Sequence, residues 1–226
     1  MTKSKTTSTD DVLLVLCNSM KSVLSNATGR QINYSSMVQK INKTCLKPDI
    51  GCFVLFDGGF SGLVILNFSA AAAMELYTTY MTNMGLSVED LAISHTADDV
   101  SDVMGELMNQ AVGDFTSVIG HELHTSINQN QPKMLTINKQ VVLSIDTNLD
   151  RPQARRVSFT TAKNNIFYLE LAMDKTEFIK LPNFEEREAF DPDSIIEEEK
   201  NKTSQVDTTT AKNPAAEIDL FDELGI

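Results

Sequence analysis

The sequence predicts an α+β domain in which two or three helices cover one face of a largely antiparallel sheet. Three observations carry that expectation. Apolar residues recur at helical spacing in three separate stretches. Two turn signals, Asp57-Gly58-Gly59 and Lys163-Asn164-Asn165, each lie between strand-like apolar runs. The 226 residues, 42% of them hydrophobic, supply one full core with appendages and not two large domains.

The first helix is expected from a Thr9-Asp10 cap through Val12, Leu13, Val15, Leu16, Met20 and Leu24, ending near Asn26 or Gly29. Residues 30–50 are mixed, and Met37, Val38 and Ile41 suggest a short helix before Pro48. Cys52–Phe56 and Phe60–Phe68 read as antiparallel strands joined at Asp57-Gly58-Gly59. Ser69 then caps an alanine-rich helix that runs to about Met84, where Gly85 stops it. A second short helix is expected over Val88–Leu91. Thr96-Ala97-Asp98-Asp99 opens a longer helix to about Ile119, with acidic residues at its positive end. Short strands follow near Leu123–Ile127 and Met134–Ile137, and a firmer one at Val141–Ile145. Arg156–Thr160 and Ile166–Met173 form the second hairpin, and the body closes near Phe178–Leu181.

The implied organisation is a flexible N-terminus at 1–9, one domain at 10–181, and an acidic, disordered tail at 182–226. The tail holds 13 acidic and 4 basic residues, so most of the net charge of −12 resides there and the body is only mildly acidic. Neither part offers a basic footprint for nucleic acid or anionic lipid. No run approaches eighteen apolar residues and no secretory leader is evident, so no membrane insertion and a cytoplasmic location are expected. Cys17, Cys45 and Cys52 lack CxxC spacing and read as reduced thiols. The last segment, Ala216–Ile226, regains apolar residues among acids; it reads either as a docking peptide for a tail-binding protein or as an inert solubilising end.

Chemistry concentrates in Asp102-Val-Met-Gly-Glu106-Leu-Met-Asn109. Glu106 and Asn109, three residues apart, are neighbours on one helix face, and Asp102 lies one turn before Glu106. Val103, Met104, Leu107, Met108 and Ala111 can bury the opposite side. A carboxylate beside an amide can grip a partner's cation and orient a water molecule, with no enclosed pocket required.

Asp102-x3-Glu106-x2-Asn109-x22-Pro132, preceded by the Ser61–Asn67 hairpin strand and a helix, resembles the signature of the bacterial chemotaxis phosphatases of the CheC/CheX/FliY family, specifically the CheX-like type. These enzymes remove phosphate from the response regulator CheY. The resemblance covers about residues 10–180 and implies a CheC/CheX-like α+β fold. It implies that Glu106 pairs with a lysine of the phosphorylated receiver domain and that Asn109 aligns the attacking water. Asp102 and Pro132 would support them. No cofactor would be bound intrinsically; Mg²⁺ is expected on the partner receiver. The stretch equivalent to a second centre, Asp11-x3-Val15-x2-Asn18, lacks the glutamate, so one centre per chain is expected. The resemblance also implies a homodimer, paired through an edge strand of the second half of the body. The rival reading is a non-catalytic adaptor that binds a receiver through the same helix face and another protein through the tail.

Other motifs read more plainly. His121 and His124 lack a third ligand at suitable spacing, so no metal site is expected there. Asp57-Gly58-Gly59 lacks the GxxxxGK[ST] pattern of a phosphate loop. Gly105 and Gly113 suggest close approach to the motif helix. Arg151, Arg155 and Arg156 form the one local basic cluster, open to contact with an acidic surface or to solvent alone.

Overall fold

The computed structural model describes residues 6–149 and 151–179. The chain divides into two units, Met1–Leu181 and Pro182–Ile226, and every described residue belongs to the first. The expected acidic tail and its terminal peptide lie outside the described residues.

In chain order the elements are β1 (Thr6–Ser8), α1 (Thr9–Thr28), β2 (Asn33–Tyr34), β3 (Gln39–Ile41), β4 (Thr44–Leu46), β5 (Ile50–Gly58), β6 (Gly62–Phe68) and α2 (Ala70–Asn83). A 3-10 turn at Val88–Asp90 precedes α3 (Asp98–Leu123). Then come β7 (Ile127–Gln129), β8 (Lys133–Thr136), β9 (Leu143–Ile145), β10 (Pro152–Thr160), β11 (Ile166–Asp174) and β12 (Glu177–Ile179).

The central sheet runs β2-β10-β11-β6-β5-β7, with β3 also on β10 and β8 also on β5, and every pairing is antiparallel. This order has an internal two-fold character. Each half gives a helix, short edge strands and a hairpin; the hairpins meet at β6–β11, and each half's edge strands pair with the other half's hairpin. The strands β4 and β9, one from each half, pair with each other. Of the second-half strands in the central sheet, β10 and β11 are flanked on both sides and β7 and β8 lie at an edge.

Alternation along the strands sorts two cores. Ile50, Cys52, Val54, Phe56, Val64, Leu66, Phe68, Val157, Phe159, Phe167, Leu169 and Leu171 face the helices. Leu63, Ile65, Ala154 and Ala172 face the other way and are covered by Leu46 and Ile137. The helix side is the larger because α1, α2 and α3 all bury their apolar stripes there.

Caps explain the helix ends. Ser8 and Asp11 form a reciprocal capping box on α1, one residue earlier than the expected Thr9-Asp10 cap, and Gly29 closes it at φ 62°. Ser69 accepts from the Ala72 N–H to start α2. The expected flexible N-terminus at 1–9 is therefore corrected over its last part: Thr6–Ser8 pair with Glu177–Ile179, and Ser8 and Thr9 begin the first helix. Residues 30–50 form β2, β3 and β4 instead of a short helix. The strand expected from Leu123 begins at Ile127, because α3 continues to Leu123 and turns at His124, which adopts φ 51°. The strand expected at Val141–Ile145 covers only Leu143–Ile145.

The first hairpin is wider than its turn signal suggests. β5 runs through Asp57 and Gly58 because these residues pair with Asn128 and Ile127 of β7. Gly58 sits at φ 141°, and a Cβ on it would collide with the Ser126 carbonyl, so the position requires glycine on two counts.

Candidate functional site

Helix α3 positions the motif. Val100, Met104, Leu107, Met108, Ala111, Val112, Phe115 and Ile119 are buried against the core, which turns Asp102, Glu106 and Asn109 outward, all three exposed. Asp98 and Asp99 occupy the first turn, where the helix dipole favours them in place of a side-chain cap.

The opposite wall comes from the β7–β8 junction. Gln129 stands opposite Phe56 of β5, and Lys133 opposite Phe53. Three residues, Asn130, Gln131 and Pro132, therefore span the space of two, Val54 and Leu55: a β-bulge. Proline suits it because it has no N–H to lose from the ladder. Asn130 N still bonds the Leu55 carbonyl at 2.8 Å, holding the bulge to the sheet.

Between helix and bulge lies an open cleft of about 380 Å³ lined by Ser101, Asp102, Gly105, Glu106, Asn109, Gln131, Pro132 and Met134. All four residues singled out by spacing, Asp102, Glu106, Asn109 and Pro132, are thus brought to one place. The spacing of 23 residues from Asn109 to Pro132 is the length of chain needed to finish the helix, turn at His124 and run back along the helix as β7.

Two glutamines hold the central pair. Gln110 Nε2 donates to Glu106 Oε1 at 2.8 Å, one turn along the helix. Gln129 Nε2 donates to Asn109 Oδ1 at 3.0 Å and to the Asn109 backbone carbonyl at 3.1 Å. The first contact has an (i, i+4) signature readable in the sequence. The second joins residues far apart in the chain and had no local signal. Gly105 and Gly113 face Met134 and Gln129, but an added Cβ would stand 3.5 Å from either, an ordinary contact. Close approach does not require glycine at these two positions.

The corresponding face of α1 differs. Asp11 serves the capping box, Val15 stands at the place that Glu106 holds in α3, and Asn18 Oδ1 accepts from the Tyr34 hydroxyl at 2.7 Å. Burial, then Cys17, raises the Tyr34 hydroxyl above its ordinary pKa.

The arginine cluster does not form one surface. Arg155 and Arg156 point to opposite faces of β10: Arg155 is buried and pairs with Asp10 at 2.9 Å, while Arg156 pairs with Glu170 at 2.7 Å. Among the described residues no group of three or more His, Cys, Asp or Glu side chains could hold a metal ion. The three cysteines are free, and no described helix is long and apolar enough to cross a membrane.

The family described as "Protein of unknown function (DUF3334)" matches residues 3–226. No curated protein sequence matches the chain. Among solved structures, a putative chemotaxis protein from Desulfovibrio vulgaris Hildenborough is 17% identical with a TM-score of 0.60, over 73% of this chain and 97% of that one. The chemotaxis protein CheX from Desulfovibrio desulfuricans is 15% identical with a TM-score of 0.58, over 73% and 99%. The CheX-CheY-BeF3-Mg complex from Borrelia burgdorferi gives 13% identity and a TM-score of 0.55, over 73% and 99%. At these identities the likeness establishes the fold, and the CheC/CheX-like α+β architecture expected from the sequence is the one observed.

Proposed function

The chain belongs to the DUF3334 family, whose description assigns no activity, and from its fold and the face of α3 we propose that it is a phosphatase acting on the aspartyl phosphate of a CheY-like response-regulator receiver in the cytoplasm. The observation that carries this reading is the convergence of Asp102, Glu106, Asn109 and Pro132 on one open cleft. An open cleft suits a substrate that is itself a folded protein, since the phosphoryl group must be presented on a partner's surface.

In this reading Glu106 receives the ammonium of a receiver lysine, drawing it into register with the helix. Asn109 orients the water that attacks the phosphorus. The receiver contributes Mg²⁺ and the acyl phosphate, which is already activated for hydrolysis. The protein's share of the catalysis is positioning and electrostatic organisation across an interface. Asp102 adds negative charge one turn before Glu106, and Pro132 holds the bulge that forms the far wall. A CheX bound to CheY, BeF3 and Mg is among the structures of the same fold, which supports a receiver as the partner class. The proposal includes a homodimer, which sedimentation of the full chain tests.

The decisive experiment follows the decay of receiver domains from the same organism, phosphorylated with acetyl phosphate in Mg²⁺, with wild-type protein or Asn109→Ala. Accelerated decay with wild type alone supports the phosphatase. Receiver binding without acceleration overturns it in favour of the adaptor, a reading that the acidic, apolar-ended 182–226 segment favours.

A further inference from the structure

We propose that Gln129 is a positioning residue that fixes the orientation of the Asn109 side-chain amide; the proposal deepens the phosphatase reading and rests on it. Gln129 lies on β7, outside the helix that carries the motif, and reaches α3 through its side chain.

Its nitrogen donates to two oxygens of the same residue, Asn109 Oδ1 and the Asn109 carbonyl. This assigns both amides. An oxygen in place of Gln129 Nε2 would face two acceptors, and the Asn109 nitrogen in place of Oδ1 would face a donor. The torsion that turns an asparagine amide has broad, roughly two-fold wells, so without a partner the plane is free to swing. Gln129 removes that freedom. It leaves Asn109 with its Nδ2 hydrogens and one Oδ1 lone pair unclaimed by this bond, the pattern needed to accept a hydrogen bond from a water and hold that water's lone pair toward an electrophile.

The other end of Gln129 points to the same role. Its Oε1 is buried and has no hydrogen-bond partner among the described residues. A buried acceptor left unpaired costs about 1–3 kcal/mol, so an apolar side chain of the same length would serve packing alone at least as well. The glutamine is explained by what its nitrogen does to Asn109. The bond is also not a requirement of the helix, whose ladder is complete without it.

The test measures kcat, KM and the urea midpoint for wild type, Asn109→Ala, Gln129→Met and Gln129→Glu on an acetyl-phosphate-labelled receiver. The expected result for Gln129→Met is a fall in kcat of about ten- to a hundredfold with KM unchanged and stability equal to or above wild type. Gln129→Glu, whose carboxylate cannot donate, is expected to lose as much at neutral pH and to regain activity relative to wild type as acidification protonates it. A merely structural contact would produce neither the kcat-only loss nor the acid recovery. Wild-type kcat in Gln129→Met overturns the proposal, as does a loss shared by KM and the urea midpoint. If wild type accelerates no receiver, the phosphatase reading fails separately. The positioning role is then read from the Asn109 side-chain amide in ¹H–¹⁵N spectra: a changed signal in Gln129→Met supports it and an unchanged one overturns it.

Discussion

Arg156 closes a 2.7 Å ion pair on Glu170, a carboxylate with no exposed surface in the centre of the sheet's outer face. The Cys45 N–H also donates to Glu170, at 3.0 Å, so the same carboxylate pins β4 over the sheet. Removing Arg156 strands a buried charge. Arg156→Leu is expected to lower unfolding free energy by about 3–5 kcal/mol in urea titration, with Arg156→Leu/Glu170→Leu recovering much of it. Equal loss in both variants would contradict the account.

The turn glycine offers a sharper backbone test. Gly58 combines φ 141° with contact against the Ser126 carbonyl, where β5 meets the chain entering β7. Gly58→Ala must move one of the two strands, and about 2 kcal/mol or more of destabilisation is expected from strain and collision together. Gly113 is the contrast, since a Cβ there finds ordinary contact. Gly113→Ala is expected to raise the thermal midpoint, by the equivalent of up to about 1 kcal/mol of helix propensity.

These contrasts show what the sequence could and could not disclose. Ser69 and Gly29 were legible because their signals are local, and Asp57-Gly58-Gly59 disclosed the first hairpin but not its width, since Asp57 and Gly58 belong to β5. The outer-face strand β4 was not: it is three residues long, and its partner β9, expected as part of Val141–Ile145, lies about a hundred residues away. The helix end was misplaced because His124 takes a left-handed conformation that usually advertises itself as glycine or asparagine. At the site, helical spacing exposed Asp102, Glu106 and Asn109, while the bulge beside Pro132 and the reach of Gln129 depend on strand register that no local pattern records.

Two buried thiols make stability sensitive to alkali. Burial raises both Cys17 and Cys52 from an ordinary value near 9 to about 12. The folded state thus holds these protons more tightly than the unfolded chain does. Their contribution is fully present below pH 9 and is lost as pH rises toward 12, at about 1.4 kcal/mol per pH unit for each thiol. Urea midpoints between pH 9 and 11 are expected to fall more steeply for wild type than for Cys17→Ala or Cys52→Ala. Parallel slopes would show that other groups dominate.

The two central side chains of the cleft are predicted to fail in different ways. Glu106 is exposed and touches Gln110 on its own helix, so Glu106→Gln keeps the shape and removes only the charge. If the carboxylate serves to capture a receiver cation, its loss weakens association before it slows chemistry. KM for the phosphorylated receiver is expected to rise about tenfold, equivalent to about 1.4 kcal/mol, with a smaller change in kcat. The wild-type KM is also expected to rise with salt, and that dependence to flatten in the variant. Asn109→Ala should lower kcat with KM held, because an oriented water matters only once the complex has formed. Both substitutions lie on the solvent side of α3 and should leave the unfolding midpoint nearly unchanged. Exchanged signatures, with Glu106→Gln losing kcat alone and Asn109→Ala losing affinity alone, would reverse the two roles while leaving the cleft as the site.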